Sequence, residues 1–436
     1  MFEAMNVAIL IGSALVAAAA FTSILSFRFG APLLLIFLLV GLAAGEDGIG
    51  IQFDNLGAAY FVGALALAII LFDAGFATRL ATLRSAALPA LALSTAGVLI
   101  TALLVGIAAQ LLLGFTWLQG FLLGVIVAPT DAAAVFFLLR VGGITLREQV
   151  RATLEVESGS NDPIAIFLTV ALVGLIAAPG TGLDALGSAV LLPLIVQLVV
   201  GAAVGVLAGI AIIQVVNRTD FEGALYPIMV IALALTAYAV AGLAWGSGFL
   251  AVYVAGLIAG NARMRHTAAL RRFQEGTTWI SQIAMFLTLG LLATPSEFPA
   301  VALGAIGLAA FLILVARPVA VWLCLLPFPY SRHEMAFVSW VGLRGAVSIL
   351  LAILPAMAEI PGGRTIFNVA FVVVLASLLV QGWTIGPMAR FLGLVVPARR
   401  GPVDRMELEL PGTARHEIVG YSVHPESAVA RGQRLP

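Results

Sequence analysis

The sequence predicts an all-α protein that crosses a membrane many times, and three observations support this fold class. Of its 436 residues, 62% are hydrophobic and only 10% are charged, against roughly 25% charged residues in a soluble domain. Apolar runs of about 20 residues, enough to span a bilayer as a helix, recur along most of the chain. The short alternation of apolar and polar residues that a membrane β-barrel needs does not occur.

We predict thirteen spans, some of them short and some longer than about 25 residues, as expected of tilted or broken helices. They are residues 6–27, 31–45, 57–77, 86–113, 117–139, 150–178, 188–216, 223–244, 248–262, 276–294, 299–328, 334–358 and 365–395. No basic stretch precedes the first span, so it is not interpreted as a cleaved signal. Cys324 is the single cysteine, which excludes an internal disulfide.

The charges between the spans alternate and define a topology. All cationic side chains of the chain except histidine are arginines. Every second connection carries only acids or no charge, and the others carry the arginines; Arg364, in the twelfth connection, is the exception. The acids of the arginine-free connections are Glu46, Asp47, Asp54, Asp184 and Glu297. By the positive-inside rule, the amino terminus lies outside and the carboxyl terminus in the cytoplasm, and an odd number of spans requires opposite ends.

Several charges lie inside the predicted spans. With a rise of about 1.5 Å per residue, Asp131, Asp162, Arg317 and Arg344 lie about 13–16 Å from the cytoplasmic ends of their helices. This depth is near the middle of a hydrocarbon core about 30 Å thick. Ionisable groups there are costly and indicate a functional site, so we expect four helices to meet at one. Asp73 lies nearer the cytoplasm, where it is expected to line an access funnel.

The central motif is Glu157-Ser-Gly-Ser-Asn-Asp162-Pro163 in the sixth span. Residues four apart share a helix face. The Asn161 amide is therefore expected to donate to the Glu157 carboxylate, while the Ser158 hydroxyl and the Asp162 carboxylate point the same way. Hard oxygen ligands of this kind suit an alkali cation, whereas soft metals prefer cysteine or histidine. All four histidines lie outside the spans, so a transition-metal site or another cofactor is not expected.

The facing partner of this motif is expected to be Ala128-Pro-Thr-Asp131 in the fifth span. A proline followed by Thr-Asp in mid-helix favours an unwound segment that Asp131 caps. Gly342-Leu-Arg-Gly345 in the twelfth span is a second predicted break. Paired broken helices at the centre of inverted repeats mark the binding site of a secondary transporter. We therefore predict repeats over residues 6–178 and 223–395, with the seventh span as linker.

A mechanism follows from burial of the carboxylate. A desolvated carboxylate is costly unless a proton or a cation neutralises it. Competition of the two for Asp162, with alternating access, is sufficient for cation/proton exchange. Asp131 is a second candidate for binding the cation or proton. Because Asn161 cannot ionise, we predict one cation per proton and no net charge movement, with Arg317 and Arg344 offsetting fixed acids.

At these residues the chain resembles the NhaP-type branch of the cation–proton antiporter 1 family, relatives of the sodium–proton exchangers. The matching features, in family order, are Thr130-Asp131, Glu157-Ser158, Asn161-Asp162, Gly256, Gly260-Asn261, Arg317-Pro318 and Gly-Leu-Arg344-Gly-Ala-Val-Ser348. The resemblance implies thirteen helices in two inverted repeats and a homodimer with a core and an interface domain. It also implies that the ion is held by Asp162, Glu157, Ser158 and the backbone at Thr130. Asn161 would orient Glu157, and Arg344 would be essential.

The tail favours potassium as the transported cation. Residues 1–397 are interpreted as the transmembrane domain and residues 398–436 as a cytoplasmic tail, with a short strand or linker expected over residues 402–410. The tail resembles the start of the regulatory region in potassium–proton antiporters of the cell-volume-regulation type. There a domain that would sense nucleotide or ions follows, and because this chain stops at Pro436 we expect a truncated region. The binding motif alone would serve sodium equally well.

Other function classes fit the sequence less well. An intramembrane serine protease needs a base such as His or Lys near its nucleophile, and no span contains either. Asp131 and Asp162 could form an aspartyl-protease pair, but nothing nearby would bind a peptide. A channel would show pore rings from an oligomer. The zero net charge offers no basic surface for nucleic acid. We thus predict a lipid-embedded antiporter of the bacterial inner membrane that acts in pH homeostasis and is not an enzyme.

Overall fold

The computed structural model describes residues 2–29, 32–177, 192–396, 404–408 and 416–420. Asp184 and, in the predicted tail, residues 398–403, 409–415 and 421–436 lie outside the described residues. The helices of the described part are α1 (Phe2–Phe29), α2 (Leu33–Ala44), α3 (Leu56–Ala77), α4 (Leu80–Ala92), α5 (Val98–Leu113), α6 (Trp117–Ile126), α7 (Ala132–Val141), α8 (Glu148–Ala177), α9 (Leu192–Arg218), α10 (Leu225–Leu243), α11 (Gly248–Asn261), α12 (Thr267–Leu292), α13 (Ala302–Phe311), α14 (Arg317–Leu325), α15 (Arg332–Trp340), α16 (Ala346–Met357) and α17 (Gly363–Phe391).

The predicted all-α membrane architecture is confirmed, and each predicted span coincides with one helix or with two helices in line. Within the described ranges, seven helical segments are long and apolar enough to cross a membrane. They are Leu56–Ala77, Ala86–Leu113, Glu148–Ala177, Leu192–Arg218, Leu225–Leu243, Ala302–Leu325 and Gly363–Phe391. Shorter apolar helices, among them α2, α6, α7, α11 and α16, cover most of the remaining spans. This arrangement is compatible with thirteen crossings.

Helix α12 begins earlier than the sequence indicated. The span was predicted over residues 276–294, but the helix runs from Thr267 to Leu292. Arg271 and Arg272 therefore lie on its first turns, with exposed side chains, and not in a loop. Hydropathy locates where a chain enters lipid, whereas a helix can extend beyond that boundary as long as its charged face stays in water.

The two halves of the chain share irregularities at corresponding places. A π-helical turn, Leu93–Gly97, joins α4 to α5, and another, Leu312–Ala316, joins α13 to α14. The next span in each half is broken, at residues 127–131 between α6 and α7 and at residues 341–345 between α15 and α16. Such π turns are rare and occur frequently at functional sites. Two matching pairs of defects support the inverted-repeat architecture and both predicted breaks.

Most helix packing falls within two groups. The scaffold group comprises α1–α3 and α9–α12, and the site group comprises α4–α8 and α13–α17. In the scaffold group, Gly256 and Gly260 of α11 lie so close to the carbonyls of Phe72 and Phe76 in α3 that a Cβ on either glycine would clash. Small residues allow this close backbone approach in membrane helices. The scaffold therefore presents a firmly packed surface to the site group.

Two short antiparallel ladders complete the described chain. Strand β1 (Thr145–Leu146), between α7 and α8, pairs with β2 (Val395–Val396), which follows α17. Strand β3 (Asp404–Leu408) pairs with β4 (His416–Gly420). Strand β3 lies within residues 402–410, where a strand or linker was predicted. The first ladder connects the loop between two helices of the central site to the chain that leaves the last helix.

Candidate functional site

The two broken helices meet at their breaks. The Asp131 N–H donates to the carbonyl of Leu343 at 2.8 Å, which links the first break directly to the second. The Asp131 carboxylate caps α7 by accepting a hydrogen bond from Ala134 N at 3.0 Å. A Cβ at position 345 would collide with this carboxylate, so the crossing requires Gly345. The predicted breaks and the predicted capping role of Asp131 are confirmed.

Helix α8 fixes the first break through Thr130. Ser158 Oγ donates to the Thr130 carbonyl at 2.8 Å and accepts from Ala132 N at 3.2 Å. Asn161 Nδ2 donates to Thr130 Oγ1 at 2.9 Å. The backbone and the side chain of Thr130 are thus both held by α8, as expected for the segment that faces the motif. The predicted hydrogen bond from Asn161 to Glu157 was wrong.

The Glu157 carboxylate is bound instead by Arg317. The Arg317 Nη1 and Nη2 atoms lie 2.5 and 3.0 Å from the Glu157 Oε1 and Oε2 atoms, and both side chains are almost fully buried. A bidentate, charge-assisted pair is stronger than a bond from a neutral amide, which explains why Glu157 prefers Arg317 to Asn161. Arg317 does offset a fixed acid, as predicted. The expected place of Glu157 among the cation ligands is not supported by this geometry.

Arg344 satisfies a broken helix end and not an acid. Its Nη1 donates to the carbonyls of Ala128 and Pro129, the latter at 3.0 Å. These carbonyls follow the last turn of α6, where a helix leaves unpaired acceptors and partial negative charge. The side chain is 1% exposed. Arg344 was predicted to offset a fixed acid, and this partner was wrong because the side chain binds backbone carbonyls instead. The arginine does lie at the crossing of the two broken helices.

Two residues of α17 that the sequence analysis overlooked support the second break. Ser377 Oγ accepts from Arg344 N at 3.0 Å and donates to Gln381 Oε1 at 2.5 Å. Gln381 Nε2 donates to the Trp340 carbonyl, at the end of α15, at 2.7 Å. A serine and a glutamine four residues apart on an apolar helix were a usable signal. They were not predicted because the neutral polar residues assigned to the site from the sequence all lie next to a buried charge, and the centre of α17 carries none.

Asp162 differs from the other buried charges of the site because the residues that the structure describes form no hydrogen bond or ion pair with its carboxylate. It is 6% exposed, and its Oδ1 makes no hydrogen bond within the described part of the chain. The residue borders a cavity of about 570 Å³, here called the Asp162 cavity. Ser158, Thr130 and Asp131 line the same cavity, whereas Glu157 does not. The Asp162 carboxylate is thus the group of the motif that a proton or a cation can reach.

Asp73 lies across the Asp162 cavity, on the scaffold side. Its Oδ2 accepts from Thr278 Oγ1 of α12 at 3.0 Å, and the residue is half-buried. Arg140 and Arg151 also line the cavity, as do the β1 residues Thr145 and Leu146. Asp73 therefore lies in the wall of the cavity that contains Asp162, and its predicted place at the cytoplasmic entrance stays a prediction.

A second cavity of about 500 Å³, here called the Arg364 cavity, lies at the opposite ends of the same helices. It is bordered by the carboxyl end of α16, the amino end of α17 and the loop between α2 and α3. Its charged lining residues are Glu46, Asp54, Glu359 and Arg364. The broken helices and α8 thus lie between a cavity that reaches Asp162 and one that does not.

Sequence comparison identifies the family. The model of the family described as "Sodium/hydrogen exchanger, transmembrane" matches residues 14–391 of the chain. This chain belongs to the sodium/hydrogen exchanger family. The match covers the broken helices, the central motif and both buried arginines, so the elements of the site are those of the family's membrane domain.

Curated relatives support the NhaP-type branch. The chain is 44% identical over 427 residues to "K(+)/H(+) antiporter NhaP" of Alkalimonas amylolytica, which covers 98% of this chain and 74% of that relative. It is 46% identical over 421 residues to "K(+)/H(+) antiporter NhaP2" of Shewanella oneidensis, covering 96% of this chain and 73% of the relative. "Na(+)/H(+) antiporter NhaH" of Halobacillus dabanensis is 30% identical over 345 residues, covering 76% and 83%.

A solved structure agrees on the fold. The sodium proton antiporter MjNhaP1 from Methanocaldococcus jannaschii superposes with a TM-score of 0.77 over 90% of this chain and 99% of its own, at 23% identity. The predicted NhaP-type resemblance is confirmed. The family member described here is a multi-pass membrane protein and a cation/proton antiporter, and its relatives are named as transporters, in agreement with the expectation that it is not an enzyme.

The buried Glu157–Arg317 pair provides a stability test. We expect Arg317→Gln to destabilise the protein strongly, by about 3–5 kcal/mol, because it leaves the Glu157 carboxylate buried and unpaired. The double variant with Glu157→Gln removes both charges and should recover much of this loss. Thermal unfolding of the detergent-solubilised protein measures both, with Arg265→Gln, at an exposed pair with Asp220, as the control. A double variant no more stable than Arg317→Gln would contradict the coupling.

Proposed function

We propose that the chain exchanges potassium for protons across the bacterial inner membrane by alternating access, with Asp162 as the shared binding residue. Two relatives that span nearly the whole chain are named K(+)/H(+) antiporters, at 44% and 46% identity. The relative named as a Na(+)/H(+) antiporter is less similar, at 30%. Sodium/proton exchange by the same site is the second candidate function, since oxygen ligands suit either alkali cation.

The observation that carries this proposal is the Asp162 carboxylate, which lines a large cavity and whose Oδ1 has no hydrogen-bond partner among the described residues. In the proposed site the cation is bound by Asp162, the Ser158 hydroxyl and the Thr130 carbonyl. Asp131 adds negative charge from the cap of α7. Asn161 positions the site by holding Thr130, and Glu157 contributes by fixing Arg317.

Charge accounting supports a one-for-one exchange. The Glu157–Arg317 pair is internally neutral, and Arg344 is held by the carbonyls at the end of α6. The Asp131 carboxylate faces the amino end of α7, where the helix dipole favours an anion. Each of these charges has a fixed partner, so a proton or a monovalent cation on Asp162 is the variable charge. Either occupant gives the site the same net charge.

Alternating access is supported by the two cavities. The Asp162 cavity has Arg140 and Arg151 in its lining, and the positive-inside rule assigns that side to the cytoplasm. The present conformation is then open to the cytoplasm, with the amino terminus outside and the Arg364 cavity facing outward. In the opposite state the site group would have moved along the scaffold group so that Asp162 becomes accessible from the Arg364 cavity.

In the proposed assembly two copies form a homodimer through their scaffold groups. In the same proposal, transport is regulated by a cytoplasmic domain that binds nucleotide or ions.

Removing the ionisable group should abolish exchange. We expect Asp162→Asn to eliminate cation-driven proton flux in everted vesicles, because an amide cannot exchange a proton for a cation. Asp220→Asn is a matched control on an exposed loop acid, 93% exposed, and should retain activity. Unfolding temperatures of both variants monitor folding. Exchange that persists in a folded Asp162→Asn protein would refute the assignment.

The transported cation can be identified with one panel of ions. In liposomes containing the purified protein, we expect outward gradients of potassium, and more weakly of sodium, to drive proton uptake measured with a pH-sensitive dye. Lithium and rubidium complete the series, and liposomes with Asp162→Asn provide the background. A sodium response that exceeds the potassium response would favour the second candidate function.

Stoichiometry is tested by an imposed voltage. Because one positive charge replaces another on Asp162, we expect the rate of potassium-driven exchange in liposomes to stay unchanged when a gradient of the membrane-permeant anion thiocyanate, which the site does not bind, sets a membrane potential. A steep dependence of the rate on voltage would show that more than one titrating group moves in each cycle, with Asp131 as the next candidate.

A further inference from the structure

The connection between α12 and α13, residues 293–301, joins the scaffold group to the site group. Its centre is a short 3₁₀ helix, Pro295–Ala300, and its Thr294 lines the Arg364 cavity. If the two groups move relative to one another, this segment has to follow one of them or stretch between them. Its contacts on each side therefore indicate which group it accompanies.

Toward the site group, the connection is held by several bonds through Glu297. Arg364 Nε lies 2.9 Å from both carboxylate oxygens of Glu297, and Asn368 Nδ2 donates to its Oε2 at 2.7 Å. Arg364 Nη2 also reaches Thr294 Oγ1 at 3.3 Å. The hydrogen bond from Arg364 lowers the pKa of Glu297 from its ordinary value, so this carboxylate is ionised at neutral pH.

These contacts also explain the one arginine that departs from the positive-inside pattern. Arg364 lies at the start of α17 on the side where the other connections carry acids or no charge. It has a bidentate carboxylate partner there, so its role is local and structural. A topological signal, by contrast, depends on the summed charge of a loop and not on a specific partner.

Toward the scaffold group, Ala293 continues the end of α12 by donating to the Gly290 carbonyl, and beyond that the described residues form one hydrogen bond from the connection. The Ser296 N–H donates to Asp47 Oδ2 at 2.6 Å, and Asp47 belongs to the loop between α2 and α3. A single hydrogen bond to an exposed carboxylate exchanges readily with water. The Glu297–Arg364 ion pair is also exposed, but together with the part-buried bond from Asn368 it gives the connection several bonds to the site group, and it is the stronger of the two attachments.

We infer that the Arg364 cavity opens when Ser296 separates from Asp47, while Glu297, Arg364 and Asn368 carry the connection with the moving site group. This inference rests on the proposed alternating access. The Ser296–Asp47 contact is then the latch that keeps the outer side closed in the present conformation. The Glu297 cluster is a permanent attachment that moves as a unit.

Cysteine pairs distinguish the two attachments. In a Cys324→Ala background, which removes the single native cysteine, one protein carries Asp47→Cys with Ser296→Cys and a matched one carries Glu297→Cys with Asn368→Cys. The two cysteines of each pair are cross-linked with a short bifunctional reagent that forms a disulfide with each thiol, and dithiothreitol then cleaves the cross-link. We expect the bridge at 47 and 296 to abolish potassium-driven proton flux in liposomes and reduction to restore it. The bridge at 297 and 368 should leave flux close to that of its reduced form.

The reverse pattern, or equal sensitivity of the two bridged proteins, would overturn the inference. Flux in the reduced proteins tests the proposed antiport by itself, so failure of that function is distinguishable from failure of the latch. A second measurement does not need transport: labelling of Thr365→Cys, in the wall of the Arg364 cavity, by a membrane-impermeant thiol reagent. In the Cys324→Ala background, we expect Asp47→Ala, which removes the acceptor of the Ser296 N–H, to accelerate this labelling, and an unchanged labelling rate would also overturn the inference.

Discussion

The site depends on one electrostatic constraint: a charge buried at membrane depth must be paired, and the described part of the chain supplies no partner for the Asp162 carboxylate. Glu157 is bound by Arg317, Arg344 by backbone carbonyls, and Asp131 by the amino end of α7. In the proposed mechanism these fixed pairs neutralise the surroundings, so the occupant of Asp162 determines the net charge of the site. An additional fixed cation beside Asp162 would remove the need for a proton or a metal ion.

The crossing of two interrupted helices is possible inside a membrane protein because other residues satisfy the interrupted backbone. Each interruption exposes backbone groups that lipid cannot satisfy. At the first, Ser158 and Arg344 supply the missing partners; at the second, Ser377 and Gln381 do so. Most polar side chains near the centre of the molecule therefore hold the interrupted backbone, and Ser158 does so while it also lines the cavity where the cation is proposed to bind.

The sequence predicted the features that depend on local pattern. Hydropathy located the spans, Pro129 and Gly345 located the breaks, and helix rise placed Asp131 and Asp162 at one depth. Contacts between distant segments were less accessible. Glu157 pairs with Arg317, 160 positions away, and no spacing rule could decide between that partner and Asn161. The early start of α12 was missed for a different reason, since hydropathy reports the lipid boundary and not the hydrogen-bonded end of a helix.

The ladder between β1 and β2 couples the chain that follows the last helix to residues that line the Asp162 cavity. Thr145 and Leu146 border that cavity and pair with Val396 and Val395. A pull or twist applied after Val396 is transmitted through backbone hydrogen bonds to the loop that joins α7 and α8, the helices that carry Asp131 and Asp162. A displacement of the chain after Val396 would thus shift the loop at the edge of the Asp162 cavity without any direct contact with the ion.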